Sequence, residues 1–123
     1  MSTQDELAIV IPAKNEEKLL PRLLDSLAGQ DYPRMATTSL LIADAGSTDR
    51  MREAAERFRS RLKIQFIPGG MPSVGRNAGA KASNSRYILF LDADIELADR
   101  TLIRRSLELM KRKNLFCLTT DIY

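Results

Sequence analysis

The fold is indicated by a short apolar run near the start of the chain, Leu7-Ala8-Ile9-Val10-Ile11, which is followed by Pro12. A run of this length is typical of a buried strand, and we expect the proline to end it. Two further runs, at residues 39–43 and 87–91, have the same character. Strands that are apolar along their whole length need helices on both faces. We therefore expect a parallel sheet in which residues 7–11 are central, flanked by 39–43 and 87–91.

The segments between these runs carry apolar residues at helical spacing. They predict four helices. The first ends at Gly29, and the second follows a Ser47 or Thr48 cap and buries one face of residues 51–58. The third and fourth cover about residues 73–83 and 100–112. Further strands are predicted at residues 62–67 and 115–119. This alternation is typical of an α/β fold with three layers, a mostly parallel sheet and right-handed crossovers. A length of 123 residues fits a single domain over residues 1–123.

The composition excludes several kinds of chemistry. The chain has no histidine, which excludes a histidine base, a Ser-His-Asp triad and histidine metal ligands. Its one cysteine, Cys117, has no partner for an intramolecular disulfide. No apolar stretch approaches the roughly 20 residues that cross a bilayer. The first six residues are polar and acidic, unlike a secretory signal, so we expect a cytoplasmic protein.

The basic residues cluster in two segments, 50–61 and 104–113, while the net charge is only +3. In both segments they alternate with apolar residues at helical spacing. Solvated helix faces explain this better than nucleic-acid binding, because no recognition motif accompanies them. Peripheral contact of Lys111-Arg112-Lys113 with an anionic membrane surface, at its inner face, is an alternative.

Polar and acidic residues follow three of the predicted strands. The segments are Pro12-Ala13-Lys14-Asn15-Glu16-Glu17, Asp44-Ala45-Gly46-Ser47-Thr48-Asp49 and Asp92-Ala93-Asp94-Ile95-Glu96. Open parallel sheets bind their ligands beyond the carboxyl ends of the strands. Acids that recur at one edge repel each other, and a divalent cation with a polyhydroxylated ligand would explain why they are there.

The pair Asp92 and Asp94 predicts a metal site. Alternate residues of an extended segment point the same way, so both carboxylates can face one pocket. Mg²⁺ and Mn²⁺ typically take one or two carboxylates and complete their shell with substrate phosphates. An isolated Asp-x-Asp is commonly turn or helix-capping chemistry, but its place directly after the apolar residues 87–91 favours the metal site.

Two more side chains are candidates for ligand contacts. Asp44 either caps a helix or accepts hydrogen bonds from a base N–H or from ribose hydroxyls at the end of its strand. Arg76 lies in a segment of small residues, 75–82, and is predicted in the first turn of a helix. A cation gains nothing from the helix dipole at that end, so a phosphate or carboxylate partner is the better explanation.

Four segments together resemble a family-2 glycosyltransferase with the GT-A fold, similar in character to dolichyl-phosphate-mannose-synthase-like members. They are residues 9–17, 41–49, 74–79 and 90–94, in this order and at the predicted strand ends. The resemblance covers residues 7–118. It implies the Rossmann-like fold of the nucleotide-diphospho-sugar transferases, apparently truncated to its N-terminal, nucleotide-sugar-binding half.

The resemblance also implies a site for a nucleotide-diphosphate sugar, UDP- or GDP-linked. The residues implied to bind this donor are Pro12, Ala13, Asn15, Glu16, Ile42, Asp44, Arg76, Asp92, Ala93 and Asp94. Asp92 and Asp94 are implied to be catalytic, and Asp94, Asp92 and Glu96 are implied to ligate Mg²⁺ or Mn²⁺. Many members have a second acid where this chain has Ala45, which makes base recognition depend more heavily on Asp44.

Inverting members of this family take their general base and much of the acceptor site from sequence beyond these segments. We therefore expect the 123-residue chain to bind a donor but to show little or no sugar transfer. The acceptor is not identified by the sequence, and a lipid-linked one is an alternative. An apolar edge is expected around residues 115–122, which favours formation of a homo-oligomer.

Two other classes of protein stay open. Asp-x-Asp after an apolar strand also begins the active site of haloacid-dehalogenase-like phosphatases, although Glu96 stands where that family has a small hydroxyl residue or valine. A non-catalytic nucleotide-binding or scaffold half-domain is the other. A Rossmann dehydrogenase and a sugar-nucleotide pyrophosphorylase are disfavoured, because residues 12–17 contain no glycine.

Overall fold

The computed structural model describes residues 5–70, residue 79 and residues 85–114. Its elements follow each other as strands and helices. They are β1 (Asp5–Ala13), α1 (Leu20–Ala28), a 3-10 helix (Met35–Thr37), β2 (Ser39–Asp44), α2 (Met51–Glu56), β3 (Lys63–Pro68), β4 (Ser85–Phe90) and α3 (Leu102–Lys113). Within these residues no helix is long and apolar enough to cross a membrane.

The described strands form one parallel sheet in the order β3-β2-β1-β4. The predicted central position of β1 between β2 and β4 is therefore confirmed. The register brings the carboxyl ends of the strands to one edge, since Ala13 pairs with Asp44 and Asp44 pairs with Pro68. On the other side of β1, Val10 pairs with Phe90.

Pro12 does not end β1, contrary to the prediction. The strand continues to Ala13, and Pro12 pairs in register with Ala43 of β2. The fixed φ of proline is compatible with extended backbone, and the strand loses only one N–H donor at this position. The extension matters because it carries the polar residues that follow β1 up to the end of β2.

The two faces of the sheet are buried in separate apolar clusters. Leu7, Ile9 and Ile11 belong to the larger cluster, together with the four buried leucines of α1 (Leu20, Leu23, Leu24 and Leu27). Val10 belongs to the second cluster, with Leu41, Ala43 and Ile67. This alternation along β1 confirms that the central strand is covered on both faces.

A buried glycine packs against the second face. Gly79 is helical, and a Cβ at its position would lie 2.7 Å from Cγ2 of the fully buried Val10 and nearer still to Cγ1. The absence of a side chain is therefore what allows this close approach. The rest of the predicted helix over 73–83 lies outside the described residues, as do Arg76, Cys117, the predicted strand at 115–119 and the apolar edge at 115–122.

The helix ends agree with the predictions only in part. Gly29 caps α1 at its C-terminus and a proline lies in its first turn, as expected. Neither Ser47 nor Thr48 caps α2, which begins after Arg50 and spans only six residues. Instead, the Asp49 carboxylate accepts a hydrogen bond from the Met51 N–H at 3.1 Å, because Ser47 is occupied by contacts at the edge of the sheet.

Segment 96–104 is attached to α1 and to the turn that follows it. The Gln30 side chain is 6% exposed, donates to the Asp99 carbonyl at 2.7 Å and accepts from the Ile103 N–H at 3.1 Å. Ser26 Oγ accepts the Leu97 N–H, and the Asp31 N–H donates to the Arg100 carbonyl. These contacts fix the position of the chain directly after the Asp92-Ala93-Asp94 segment.

Some apolar side chains of β4 and α3 are more exposed than the sequence indicates. Strand β4 pairs with β1 alone among the described strands, and Phe90 at its end is 44% exposed. In α3, Ile103 and Leu107 are buried, while Leu102 and Met110, which lie at the same helical spacing, are only half-buried. Several basic residues of α3 are neutralised locally, for example by the pair of Arg104 with Asp31 at 3.0 Å.

Candidate active site

Three loops leave the sheet at the same edge. The Ala45 N–H donates to the Ala13 carbonyl at 3.0 Å, and the Gly69 N–H donates to the Asp44 carbonyl at 2.9 Å. On the β4 side, the Leu91 N–H donates to the Val10 carbonyl at 3.0 Å, which continues the pairing one residue beyond β4. The segments that follow β1, β2 and β4 therefore begin at one edge of the sheet. This agrees with the prediction that the polar residues after these strands lie at the same edge.

Asn15 joins the first loop to the second. Its backbone is left-handed, with φ 52°, and its N–H donates to Ser47 Oγ at 2.9 Å. Its Oδ1 accepts the backbone N–H groups of Thr48 at 2.8 Å and Asp49 at 3.3 Å. Asparagine tolerates this backbone conformation and bonds neighbouring N–H groups better than most residues do. The structure therefore gives Asn15 a bracing role, beyond the donor contact that the resemblance implies.

Asp49 completes the same connection from the other side. Its Oδ2 accepts the Glu17 N–H at 3.1 Å, while its Oδ1 accepts the N–H of Met51 at the start of α2. Asp49 is not among the site residues that the sequence predicts. A signal was present, because an aspartate just before a helix commonly accepts N–H groups of the first turn.

Glu16 lies close enough to the third loop to interact with it electrostatically. Burial raises the pKa of this half-buried carboxyl group, and the negative charges of Asp94 and Asp49 raise it further. The three loops thus bring acids into mutual repulsion at one edge of the sheet. A bound cation would relieve this repulsion, because it favours the ionised form of each carboxyl group.

The Asp92-Ala93-Asp94 segment has the predicted alternation. Ala93 is 5% exposed and packs in the core, while both aspartates are exposed. The chain turns here, and the Ile95 N–H approaches the Asp92 carbonyl at 3.4 Å. Both aspartates are exposed beside a buried alanine, and Asp94 lies near enough to Glu16 to raise the pKa of its carboxyl group.

Glu96 is engaged elsewhere. Its Oε2 accepts a hydrogen bond from Arg22 of α1 at 2.8 Å, in an exposed ion pair. Among the described residues, no group of three or more acids or cysteines is arranged to hold a metal ion. A divalent cation at this edge would instead be coordinated by one or two carboxylates, and phosphate oxygens would complete its shell. The role of Glu96 as a ligand stays a prediction.

Asp44 is buried at the end of β2, with a side chain 5% exposed. Its Oδ1 accepts the Ser47 N–H and its Oδ2 accepts Arg52 Nε, both at 2.9 Å. Burial alone would raise the pKa of Asp44, but the hydrogen bonds from Ser47 and Arg52 outweigh it and hold the pKa below its ordinary value. The carboxylate is therefore ionised at neutral pH.

A cavity of about 380 Å³ lies beside this carboxylate, lined by Asp44, Gly46, Ser47, Arg52, Phe66, Ile67 and Pro68. The Arg52 guanidinium lies over the Phe66 ring, 4.8 Å from its centroid. The sequence predicts Arg52 on a solvated basic helix face and gives no indication of this contact. Its position depends on the geometry of the loop between Asp44 and α2, which no local pattern indicates.

The remaining predicted residues differ in accessibility. Pro12 is half-buried at the edge, and Ala13 is buried with its carbonyl bonded to Ala45. Ile42 is fully buried in the larger apolar cluster, so its side chain is not available to a nucleoside in this arrangement. Glu16, Asp44, Asp92 and Asp94 are brought to one edge, and Arg76 lies outside the described residues.

Comparisons with known proteins identify glycosyltransferases as similar in sequence and in structure. The family model described as Glycosyl transferase family 2 matches residues 8–123. Among similar sequences, the poly(ribitol-phosphate) beta-N-acetylglucosaminyltransferase TarS of Staphylococcus aureus is 30% identical in an alignment of 101 residues that covers 79% of this chain and 18% of TarS. The 4,4'-diaponeurosporenoate glycosyltransferase of Staphylococcus haemolyticus is 32% identical in an alignment of 100 residues that covers 77% of this chain and 26% of that protein.

Solved structures with the same fold include glycosyltransferases with bound nucleotides. Residues 1–349 of S. aureus TarS in complex with UDP match with a TM-score of 0.79 and 25% identity, over 89% of this chain and 33% of that one. The mannosyltransferase PcManGT from Pyrobaculum calidifontis, in complex with GDP-Man and Mn²⁺, matches with a TM-score of 0.74 and 21% identity over the same shares. The second likeness concerns the fold, which is GT-A.

Proposed function

This chain belongs to glycosyl transferase family 2, and on that premise we propose that it binds a nucleoside-diphosphate sugar at the carboxyl edge of its sheet for transfer to an acceptor. The proposal concerns the donor site, since the chain spans only 18% and 26% of the two relatives named above. Membership in this family disfavours the phosphatase that the Asp-x-Asp segment alone left open.

One observation carries the proposal: the loops that follow β1, β2 and β4 begin at the same edge of the sheet. Backbone N–H groups that donate to the Asn15 and Asp49 side chains join the loops after β1 and β2. The loop after β4 lies near them, because the charge of Asp94 raises the pKa of Glu16. Ligands of parallel α/β sheets bind at this position, so the arrangement favours a nucleotide site.

The nucleoside is placed at Asp44 and the diphosphate toward Asp92 and Asp94. The buried, ionised Asp44 carboxylate lies beside a cavity of about 380 Å³. Asp92 and Asp94 are exposed after β4, on the other side of β1 from Asp44, where they fit a Mg²⁺ or Mn²⁺ ion shared with phosphate oxygens. Bound there, the cation would neutralise the charge that develops on the leaving diphosphate. UDP is the first donor nucleotide to test, because TarS binds it.

In the transfer itself, the bond from the anomeric carbon to the diphosphate oxygen breaks and a bond to an acceptor hydroxyl oxygen forms. We propose that the transfer inverts the configuration at this carbon. The acceptor proton then needs a base within hydrogen-bond reach. Carboxylates that bind a cation are poor proton acceptors, so the base is sought outside Asp92 and Asp94. A lipid-linked acceptor at the inner face of a membrane agrees with the basic C-terminal turn of α3.

Titration calorimetry of the chain with UDP and GDP, with and without Mn²⁺, tests the donor site. We expect Asp94→Asn to weaken nucleotide binding about tenfold when Mn²⁺ is present, and to have little effect without metal, since a charge-assisted contact is lost. Asp25→Asn removes an exposed acid from α1, with a side chain 71% exposed, and serves as the matched control. An equal loss with and without Mn²⁺ would assign Asp94 a structural role. Absence of binding by the unmodified chain would refute the proposal.

A further inference from the structure

The cavity beside Asp44 has a fixed polar wall. Asp44 Oδ1 is bonded to the Ser47 N–H and Oδ2 to Arg52 Nε, so both partners hold the carboxylate in one orientation. Each carboxylate oxygen retains acceptor capacity, because an ionised carboxylate accepts about four hydrogen bonds. A further donor that enters the cavity can therefore bind Asp44 without breaking the existing contacts.

Arg52 supplies the opposite polarity next to it. Its guanidinium is oriented by the bond from Nε to Asp44 and by the Phe66 ring at 4.8 Å. Within the described part of the chain, neither of its terminal nitrogens has a hydrogen-bond partner, and its side chain is 60% exposed. Two or more N–H donors of Arg52 thus stay available beside the acceptor of Asp44.

The remaining walls leave room for a flat ligand. Gly46 has φ 85°, and a Cβ at its position would meet nothing within 4 Å, so the cavity is open on this side. Phe66, Ile67 and Pro68 contribute apolar surface at the end of β3. A planar heterocycle can lie against such walls while its polar edge meets Asp44 and Arg52.

We propose that Arg52, together with Asp44, is a specificity-determining residue that selects a base carrying a ring N–H next to a carbonyl. The inference rests on the proposed donor site and names its base class. Uracil presents this edge with N3–H and O4, and guanine presents it with N1–H and O6. In each case the N–H donates to Asp44 and the carbonyl accepts from Arg52. In the same orientation, cytosine and adenine present an unprotonated ring nitrogen to Asp44 and an amino group to Arg52, which gives two mismatched contacts.

The experiment compares four nucleotides on four proteins. Binding of UDP, GDP, CDP and ADP, each with Mn²⁺, is measured by calorimetry on the unmodified chain, Arg52→Met, Arg52→Lys and Arg57→Met. Arg57 is an exposed residue at the end of α2 and lies outside the cavity, so its variant controls for the loss of one positive charge. Arg52→Lys keeps a cation for the buried Asp44 and so preserves the fold if Arg52→Met does not, but it lacks the guanidinium donors.

The unmodified chain and Arg57→Met should bind UDP or GDP at least about tenfold more tightly than CDP and ADP. Both Arg52 variants should lose most of this preference while Mn²⁺ still strengthens their binding. If Arg52→Lys keeps the full preference, or if the unmodified chain binds all four nucleotides equally, Arg52 does not select the base, although the donor site stands. If the unmodified chain binds none of them, the donor site fails and the inference fails with it. The UDP and GDP arms identify which of the two bases fits.

Discussion

Replacement of Asn15 tests whether the loops at the edge of the sheet are held together as described. Asn15→Ala removes the Oδ1 acceptor from the N–H groups of Thr48 and Asp49, at 2.8 and 3.3 Å. It also places alanine at φ 52°, a backbone conformation that disfavours a Cβ. Asn15→Gly removes the same acceptor but tolerates the backbone. The two variants therefore separate the hydrogen bonds from the backbone strain.

The magnitudes follow from these contacts. A hydrogen bond of this kind contributes about 1 kcal/mol to the free energy of unfolding, so two of them contribute about 2 kcal/mol. The left-handed backbone costs alanine about 1 kcal/mol more. We expect the free energy of unfolding to fall by about 3 kcal/mol for Asn15→Ala and by about 2 kcal/mol for Asn15→Gly. Lys14→Ala, at an exposed neighbour, should change it by less than about 0.5 kcal/mol.

Urea unfolding followed by circular dichroism measures these differences, since the chain has no tryptophan for fluorescence. Calorimetry with UDP and Mn²⁺ on the same proteins reports the site. We expect both Asn15 variants to bind UDP about tenfold more weakly, because ordering the released loops costs about 1.4 kcal/mol of binding free energy. Equal stability of the alanine and glycine variants would refute the backbone term. Asn15 variants as stable as Lys14→Ala would refute the bracing of the loops altogether.

Two further changes test the fold and the ionisation of the site. Gly79→Ala should lower the free energy of unfolding by about 2 kcal/mol, because its Cβ would lie 2.7 Å from Cγ2 of the buried Val10. Gly29→Ala is the control and should change the free energy of unfolding little, because its Cβ would meet its nearest atom at 3.6 Å. A similar loss of stability in both variants would contradict the packing argument. Asp44→Asn should lower the free energy of unfolding by about 2 kcal/mol at neutral pH. The pKa of Asp44 is lowered in the folded protein, so its contribution is full above the ordinary value of 3.8 and is lost as the pH falls through the folded value. Urea unfolding of both proteins between pH 3 and 7 should show their difference narrow only below about pH 4, and a difference that narrows above pH 5 would contradict this assignment.

The sheet was predictable because its determinants are local. The apolar run at residues 7–11 identifies a strand that is covered on both faces, and such a strand is central. The end of β1 was misplaced, because the fixed φ of proline is compatible with extended backbone and Pro12 removes only one N–H donor from the strand. The cap of α2 was misassigned for a different reason. Ser47 bonds Asn15 and Asp44 instead, and these contacts depend on how two loops meet.

The candidate site divides in the same way. Glu16, Asp44, Asp92 and Asp94 were identifiable because they follow apolar runs, and the ends of parallel strands meet at one edge. Arg52 was not, because its partner Asp44 is reached only through the turn at residues 45–50. Glu96 illustrates the limit most clearly, since its partner Arg22 lies 74 residues earlier in the chain. No pattern within a short window indicates such a pair.

The contacts of Gln30 also bear on how this protein is made. Its amide group bonds Asp99 and Ile103, which are 69 and 73 residues later in the chain. At a synthesis rate of roughly 5–20 residues per second, α1 and its leucines wait about 4 to 15 seconds on the ribosome before these partners are translated. During that interval the apolar cluster of α1 lacks Leu97, Ile103 and Leu107, which belong to it in the folded protein. The loop that carries Asp92 and Asp94 is set in place only when this wait ends, so a truncation before Ile103 would leave α1 incompletely covered as well as the site unfinished.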